Sequence, residues 1–109
     1  MTTGEKQRKF TLLVAKLIAH IYESGYEVTL GDAYATAGHI QHSFHYIRLA
    51  IDLNLFKDGE WLKETRDHAI FGYYWESLDP MCSWGGHFDR QDGNHYSYGE
   101  GKLDKQLTV

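Results

Sequence analysis

The chain has 109 residues, 42% hydrophobic and 15% aromatic, enough apolar material for one core, so a single domain over 1–109 is expected, with a core of about 10–98 and a polar tail at 99–109. Its 11 Lys and Arg against 15 Asp and Glu give a formal charge of −4, without the basic excess that binding a nucleic-acid backbone demands, which argues against a nucleic-acid partner. The longest apolar stretches are broken by Lys16 and His20, or by Asp52 and Asn54, short of the ~20 apolar residues of a membrane span, and Met1 to Lys9 lacks the apolar centre of a secretory signal.

Phe10, Leu13, Val14, Leu17, Ile18 and Ile21 recur at offsets of three and four, which predicts a helix running to about Ser24. Thr2 and Glu5 have the spacing of a reciprocal cap for an early start, and Gly25 is placed to end it. Tyr26 to Leu30 alternates, predicting a short strand with Tyr26, Val28 and Leu30 on one face. Between Ala33 and His42 periodicity is lost and a loop is expected. Ala50 to Phe56 restores alternation, with Ile51, Leu53 and Leu55 on one side and Ala50, Asp52, Asn54 and Phe56 on the other; Asp58-Gly59 is a hairpin turn and Trp61-Leu62 the returning strand.

Asp67 to Leu78 predicts a second helix with Asp67 as its N-cap and an inner face of Ile70, Tyr74 and Leu78 beside Phe71 and Trp75, closed by Pro80. Cys82, the sole cysteine, has no internal partner and is expected as a buried thiol. Trp84-Gly85-Gly86 and Asp92-Gly93 are expected turns, and His95 to Tyr98 a final strand. The fold class is therefore α+β: a small antiparallel sheet with two or three helices.

Two short motifs carry the chemistry. His45 and Asp52 are seven apart, in phase on a helix but on opposite faces of a continuous strand, so they converge only if the chain turns between His45 and Ala50. Asp52, flanked by Ala50, Ile51, Leu53 and Leu55, carries a desolvation cost that a divalent cation would offset. His95 follows Asp92 by three residues. Imidazole and carboxylate are ligands that zinc accepts, and three protein ligands plus a water make an open, catalytic site. His45, Asp52 and His95 supply that count, with Asp92 just outside it to take the proton of the activated water, and the reaction class is hydrolysis. Cobalt or manganese would suit the same donors. Asp92-Gly93-Asn94 on its own is also an ordinary turn, and most of the seven histidines are expected to be surface or structural side chains. His20, His39, His42, His68 and His87 are set aside on that ground, with His42 and His87 near enough to serve as a spare ligand or substrate contact.

Ser43-x-His45-x-x-x-x-Ala50-x-Asp52 followed by Asp92-x-x-His95 resembles the zinc D-Ala-D-Ala carboxypeptidases and, more closely, the phage endolysins that act as L-alanyl-D-glutamate peptidases. Leu30-Gly31-Asp32-Ala33-Tyr34, Arg48 to Phe56, Phe71-Gly72-x-Tyr74-Trp75-Glu76-Ser77-Leu78 and Trp84-Gly85-Gly86-x-Phe88 look like the phage branch in particular. The resemblance implies a hedgehog/DD-peptidase-like fold, so that 1–109 is a single zinc peptidase-like domain. It implies one zinc ion per chain on His45, Asp52 and His95, Asp92 as general base and Ser43 as a substrate-positioning hydroxyl. The implied substrate is the stem peptide of bacterial peptidoglycan, cut between L-alanine and D-glutamate by a monomeric lysis enzyme. Such an enzyme is made in the host cytoplasm without a signal peptide and acts at the cell wall or periplasm after release.

The chain departs from the family pattern in having Arg48 for a glycine between the ligands, Ala35 where an arginine usually follows the Gly-Asp-Ala-Tyr segment, and a short Ala35 to His42 loop. Arg48, Arg66, Arg90 and His87 are the candidates to replace that donor, with Arg48 and His87 as possible electrophile or substrate contacts. The alternative implication is a catalytically impaired zinc-binding domain of the same fold that binds peptidoglycan or a protein partner.

Overall fold

Residues 1–39 and 43–100 are described by a computed structural model of the chain. Helix α1 spans Thr3–Glu23. Its cap is reciprocal: Thr2 Oγ1 accepts from the Glu5 N–H at 3.1 Å, and Glu5 Oε1 accepts from the Thr2 N–H at 2.8 Å. Phe10, Leu13, Val14, Leu17 and Ile21 are all buried on one stripe, each contributing roughly 1.5–3 kcal/mol relative to exposure. After α1 the chain turns at Ser24 and Gly25 into β1, Glu27–Leu30.

The sheet is built on β2, Ala50–Lys57. One edge of β2 pairs antiparallel with β1, and Gly31 and Asp32 continue that pairing, Gly31 donating to the Asp52 carbonyl at 2.7 Å and Asp32 accepting from the Asp52 N–H at 3.0 Å. The other edge takes β3, Glu60–Leu62, at one end and β5, His95–Tyr98, at the other. Asp58 and Gly59 close the β2–β3 hairpin with φ of 51° and 78°, the left-handed pair that a two-residue turn of matching twist requires. Strand β4, Cys82–Trp84, pairs with the far side of β5, so the order is β1-β2-β5-β4 and the last of the described strands lies inside the sheet.

Helix α2, Ala69–Leu78, follows a 3-10 turn at Thr65–His68. It packs with α1 over Ile51, Leu53, Leu55, Tyr96 and Trp84 in one core. Trp75 is fully buried, and its Nε1–H is shared at 3.1 Å between the carbonyls of Ser83 and Ser97, which ties α2 to β4 and β5. The expected α+β architecture, with two helices and an antiparallel sheet, is what the chain adopts.

Three local expectations need correction. Asp67 does not cap α2: it lies within the preceding turn, where its Oδ2 accepts the Glu64 N–H at 3.1 Å. Ile70 is 56% exposed: the inner face is centred on Phe71 and Trp75, as expected, with Tyr74 and Leu78 packed at its edge, and Ile70 falls outside it. Leu30 is 67% exposed, whereas Tyr26 and Val28, expected on the same face, pack against the core. Within the tail expected at 99–109, residues 101–109 lie outside the described residues, as does His42.

Candidate metal centre

Along β2, Ile51, Leu53 and Leu55 point to the helices, so Asp52 points to the opposite face of the sheet. Asp52 and His95 are direct partners in the β2–β5 register, and their side chains therefore stand together on that face. His45 arrives by the predicted turn. Phe44–Ile47 is a single 3-10 turn, and Arg48 after it takes the left-handed conformation at φ 58°, which reverses the chain into β2. Ser43 begins the turn by accepting the His45 N–H on its hydroxyl at 3.1 Å, so the hydroxyl the resemblance gave to substrate is here also the cap that aims His45. Gln7 of α1 steadies the far end, donating to the Ile47 carbonyl at 2.9 Å.

The resulting geometry is tight. His45 Nε2 lies 3.1 Å and His95 Nδ1 3.7 Å from the same oxygen, Asp52 Oδ1. Both histidines are buried while Asp52 is partly exposed. Burial pushes the Asp52 carboxyl up, but hydrogen bonding and charge from His45 and His95 outweigh it and hold it at about 2, so it is a carboxylate at neutral pH.

Two ligands about 2.0–2.1 Å from a tetrahedral ion stand about 3.3 Å apart, and the two nitrogen–oxygen separations bracket that value. His45 Nδ1 is also buried and, among the described residues, has no hydrogen-bond partner. Two imidazoles and one carboxylate meeting at a partly open face fit a divalent zinc ion. Asp92, more exposed, holds Oδ2 3.9 Å from His95 Nδ1, and Asp52, Asp92 and His95 present donor atoms all within 4.8 Å of one another.

The Asp92 position is set by Gly85. The Gly85 carbonyl accepts the N–H groups of both Phe88 and Asp92, at 3.1 and 3.0 Å, and the Asp92 carbonyl in turn accepts the His95 N–H at 3.1 Å. A Cβ on residue 85 would stand 2.0 Å from that Asp92 carbonyl oxygen, so only glycine lets the two segments approach. Beside Asp92 opens a cleft of about 320 Å³ lined by Asn54, Trp61, Lys63, His68 and Asn94 among others. His68 is a structural member of its floor: its Nδ1 lies 2.8 Å from the Tyr96 hydroxyl, and burial lowers its pKa to about 4, leaving it neutral.

The remaining sequence candidates divide differently. Arg48 lays its guanidinium over the Tyr34 ring at 3.9 Å, and His87 pairs through Nδ1 with Glu76 of α2 at 2.9 Å. Ala35 sits against the centre, its N–H donating to the His45 carbonyl at 3.2 Å. His20 stacks on Tyr74 with ring centroids 3.8 Å apart, the structural role expected of it.

His39, set aside on sequence, stands at the site. Its ring stacks on His45 with centroids 4.0 Å apart, and His39, His45 and Asp52 present donor atoms all within 4.8 Å of one another. No periodicity marks it, because it lies in the irregular stretch after β1.

Residues 36–98, more than half of the chain, match the family model described as D-alanyl-D-alanine carboxypeptidase. No curated protein matches the chain.

Proposed function

The chain belongs to the D-alanyl-D-alanine carboxypeptidase family, and from that membership we propose that it is a zinc peptidase of bacterial cell-wall peptide, cutting the stem peptide at the L-alanyl-D-glutamate bond in the manner of a phage lysis enzyme. The observation that carries this reading is the convergence of His45, Asp52 and His95 on one open face, with a water-accessible carboxylate beside them.

In this reading His45, Asp52 and His95 hold one zinc ion, which when bound acidifies water and polarises the scissile carbonyl. Asp92, close to the ligands yet exposed to solvent, takes the proton of the attacking water and passes it to the leaving nitrogen. The cleft beside Asp92 receives the peptide, its polar wall of Asn54, Lys63 and Asn94 matching a substrate rich in amides and carboxylates. Ser43 keeps the His45 turn in shape while exposing little surface of its own. The protein acts as a monomer at the wall after synthesis in the host cytoplasm.

The test pairs metal content by mass spectrometry with release of new amino groups from purified peptidoglycan, before and after a chelator. One zinc per chain and chelator-sensitive release are expected, and Asp92→Ala should lose roughly 10²–10⁴-fold in rate while still binding zinc. Release that survives chelation, or an Asp92→Ala variant as active as the parent, would refute the mechanism.

A second reading has its own support. Ala35 offers no side-chain donor beside the His45 turn, and two of the groups that might replace one are engaged, Arg48 with Tyr34 and His87 with Glu76. A zinc-binding domain that recognises wall peptide or a protein partner without cutting would show one zinc, no release, and a gain of cleavage on Ala35→Arg.

A further inference from the structure

We propose that Lys63 reads a carboxylate on the leaving residue of the substrate, and so sets which wall peptides the cleft beside Asp92 accepts. The inference rests on the peptidase reading above and deepens it with a residue to which neither the ligand motif nor the family match gives a role.

The cleft lies at a fork in the sheet. Strands β3 and β5 share one edge of β2, β3 pairing from Leu55 to Lys57 and β5 from Ala50 to Asp52, and Leu53 and Asn54 between them line the cleft. Its walls are fixed by backbone. The Leu53 N–H donates to the Asn94 carbonyl at 2.9 Å, and the Trp84 indole N–H donates to the Gly93 carbonyl at 2.8 Å. A Cβ on residue 93 would stand 2.5 Å from Thr65 Cα, so glycine lets the turn that carries Asp92 close against Thr65 in the same lining.

Lys63 directly follows β3 and, with His68 neutral, is the one cation of that lining among the described residues. It is exposed, but its position is guided. Its Nζ lies 4.6 Å from the centroid of the Trp61 ring, and Trp61 stands beside its cross-strand partner Phe56, with ring centroids 6.5 Å apart and planes at 22°. Phe56 shares the strand face of Asp52 and Asn54, so this aromatic pair lies on the face that carries the metal centre. No carboxylate holds the ammonium: every ion pair among the described residues joins a histidine to an acid. A lysine oriented by an aromatic face and without a counter-ion receives one incoming anion at little further cost in side-chain freedom.

The substrate supplies that anion. Asp92 hands its proton to the leaving nitrogen, which places the leaving residue at the Asp92 end of the cleft. Whether the bond is L-alanyl-D-glutamate, with the glutamate joined onward through its γ-carboxyl, or D-alanyl-D-alanine at the end of the peptide, that residue bears a free carboxylate on the same α-carbon as the nitrogen. Beside the Asp92 base, in a chain of formal charge −4, the carboxylate meets like charge unless a cation answers it. Ala35 offers none, and Arg48 and His87 are engaged with Tyr34 and Glu76, whereas Lys63 shares the cleft with Asp92. Converting the carboxylate to a carboxamide removes what Lys63 recognises.

The experiment compares N-acetylated L-alanyl-γ-D-glutamyl-L-lysine with its glutamate α-carboxylate free or converted to the carboxamide. Amino-group release is measured for the parent, Lys63→Gln, Lys63→Arg and Lys57→Gln, and binding by calorimetry for Asp92→Ala with and without Lys63→Gln. We expect the parent to favour the carboxylate peptide by at least about tenfold in kcat/KM, Lys63→Gln to bring the two within about twofold through KM, and Lys63→Arg to keep most of the preference. Lys57→Gln removes the same charge from a lysine over the Tyr26 ring, outside the cleft lining, and should keep the preference. Thermal melting shows that each variant is folded. A parent indifferent to amidation, a preference that survives Lys63→Gln, or an equal loss in Lys57→Gln overturns the inference and leaves the peptidase reading standing. A parent that cuts neither peptide overturns the peptidase reading, and calorimetry then decides Lys63 by itself: equal affinity for the two peptides, or a difference unmoved by Lys63→Gln, overturns it too.

Discussion

Gly85→Ala tests whether the site depends on the close approach of two backbone segments. The new Cβ would meet the Asp92 carbonyl oxygen at 2.0 Å and His95 Cβ at 2.9 Å, whereas ordinary contact starts near 3.4 Å. The gap must widen by about 1.4 Å, and because the obstacle is backbone no side-chain rotation provides it. The strain falls on the turn that carries Asp92, bound through its N–H to the Gly85 carbonyl, and through the Asp92 carbonyl on His95. Overpacking of this kind costs roughly 1–3 kcal/mol, and a misplacement of about 1 Å in a reacting group costs on the order of 10²-fold in rate. Gly4→Ala is the control, since its Cβ meets only the Arg8 side chain, at 3.4 Å, on the first turn of α1. The measurements are thermal melting, zinc affinity and amino-group release at saturating zinc. Gly85→Ala should melt several degrees lower, bind zinc more weakly and cut about a hundredfold more slowly, with Gly4→Ala melting no lower than the parent and matching it in zinc affinity and rate. A Gly85→Ala protein indistinguishable from the parent in all three would refute the argument that Gly85 positions Asp92 and His95.

Other consequences are independent of substrate. His68 has its pKa lowered by burial to about 4, so below 6.5 the unfolded chain takes up a proton that the folded chain does not; stability is full above pH 6.5 and falls by up to about 3 kcal/mol as pH drops toward 4. Denaturant titrations at pH 7 and pH 4.5 should show this slope, and His68→Gln should flatten it. Trp75→Phe removes the indole N–H shared by the Ser83 and Ser97 carbonyls and should cost about 2–4 kcal/mol in urea unfolding; a cost under 1 would mean that the ring alone holds α2 to the sheet. The Cys82 thiol is pushed up to about 12 by burial, with Asp79 and Glu76 adding to it, so a thiol reagent at pH 8 should label the protein only after unfolding.

Most of the fold was legible because its signals are local and redundant. The α1 stripe, the Thr2–Glu5 cap, the β2 alternation and the Asp58-Gly59 hairpin each follow from spacing or turn chemistry within a few residues, and the structure has all of them. The errors came where one residue's rotation decides the outcome. Ile70 and Phe71 are adjacent and both apolar, and which faces inward depends on how the Thr65–His68 turn delivers the helix, something no helical period records. Asp67 is a good cap residue by type, but it serves Glu64 at the turn before the helix.

The site divides along the same line. The need for a turn between His45 and Asp52 followed from the seven-residue offset and a two-residue strand period alone, and the 3-10 turn with Arg48 in the left-handed region supplies it. The meeting of Asp52 with His95 was suggested by the paired motifs, but its physical cause is the β2–β5 register, in which the two residues are direct partners. Slipping that register by one residue would send His95 to the core face and Tyr96 to the site, so the apolar demand of Ile51 and Tyr96 for the helices is also what aligns the ligands. His39 had no such lever. It lies beyond β1 in a segment with neither periodicity nor a motif, and reaches the centre through Asp32 continuing the β1–β2 pairing and through the Tyr46 hydroxyl. Residues fixed by register are therefore the ones sequence can assign to the ligand set, and a residue delivered by tertiary hydrogen bonds is one that sequence spacing cannot place.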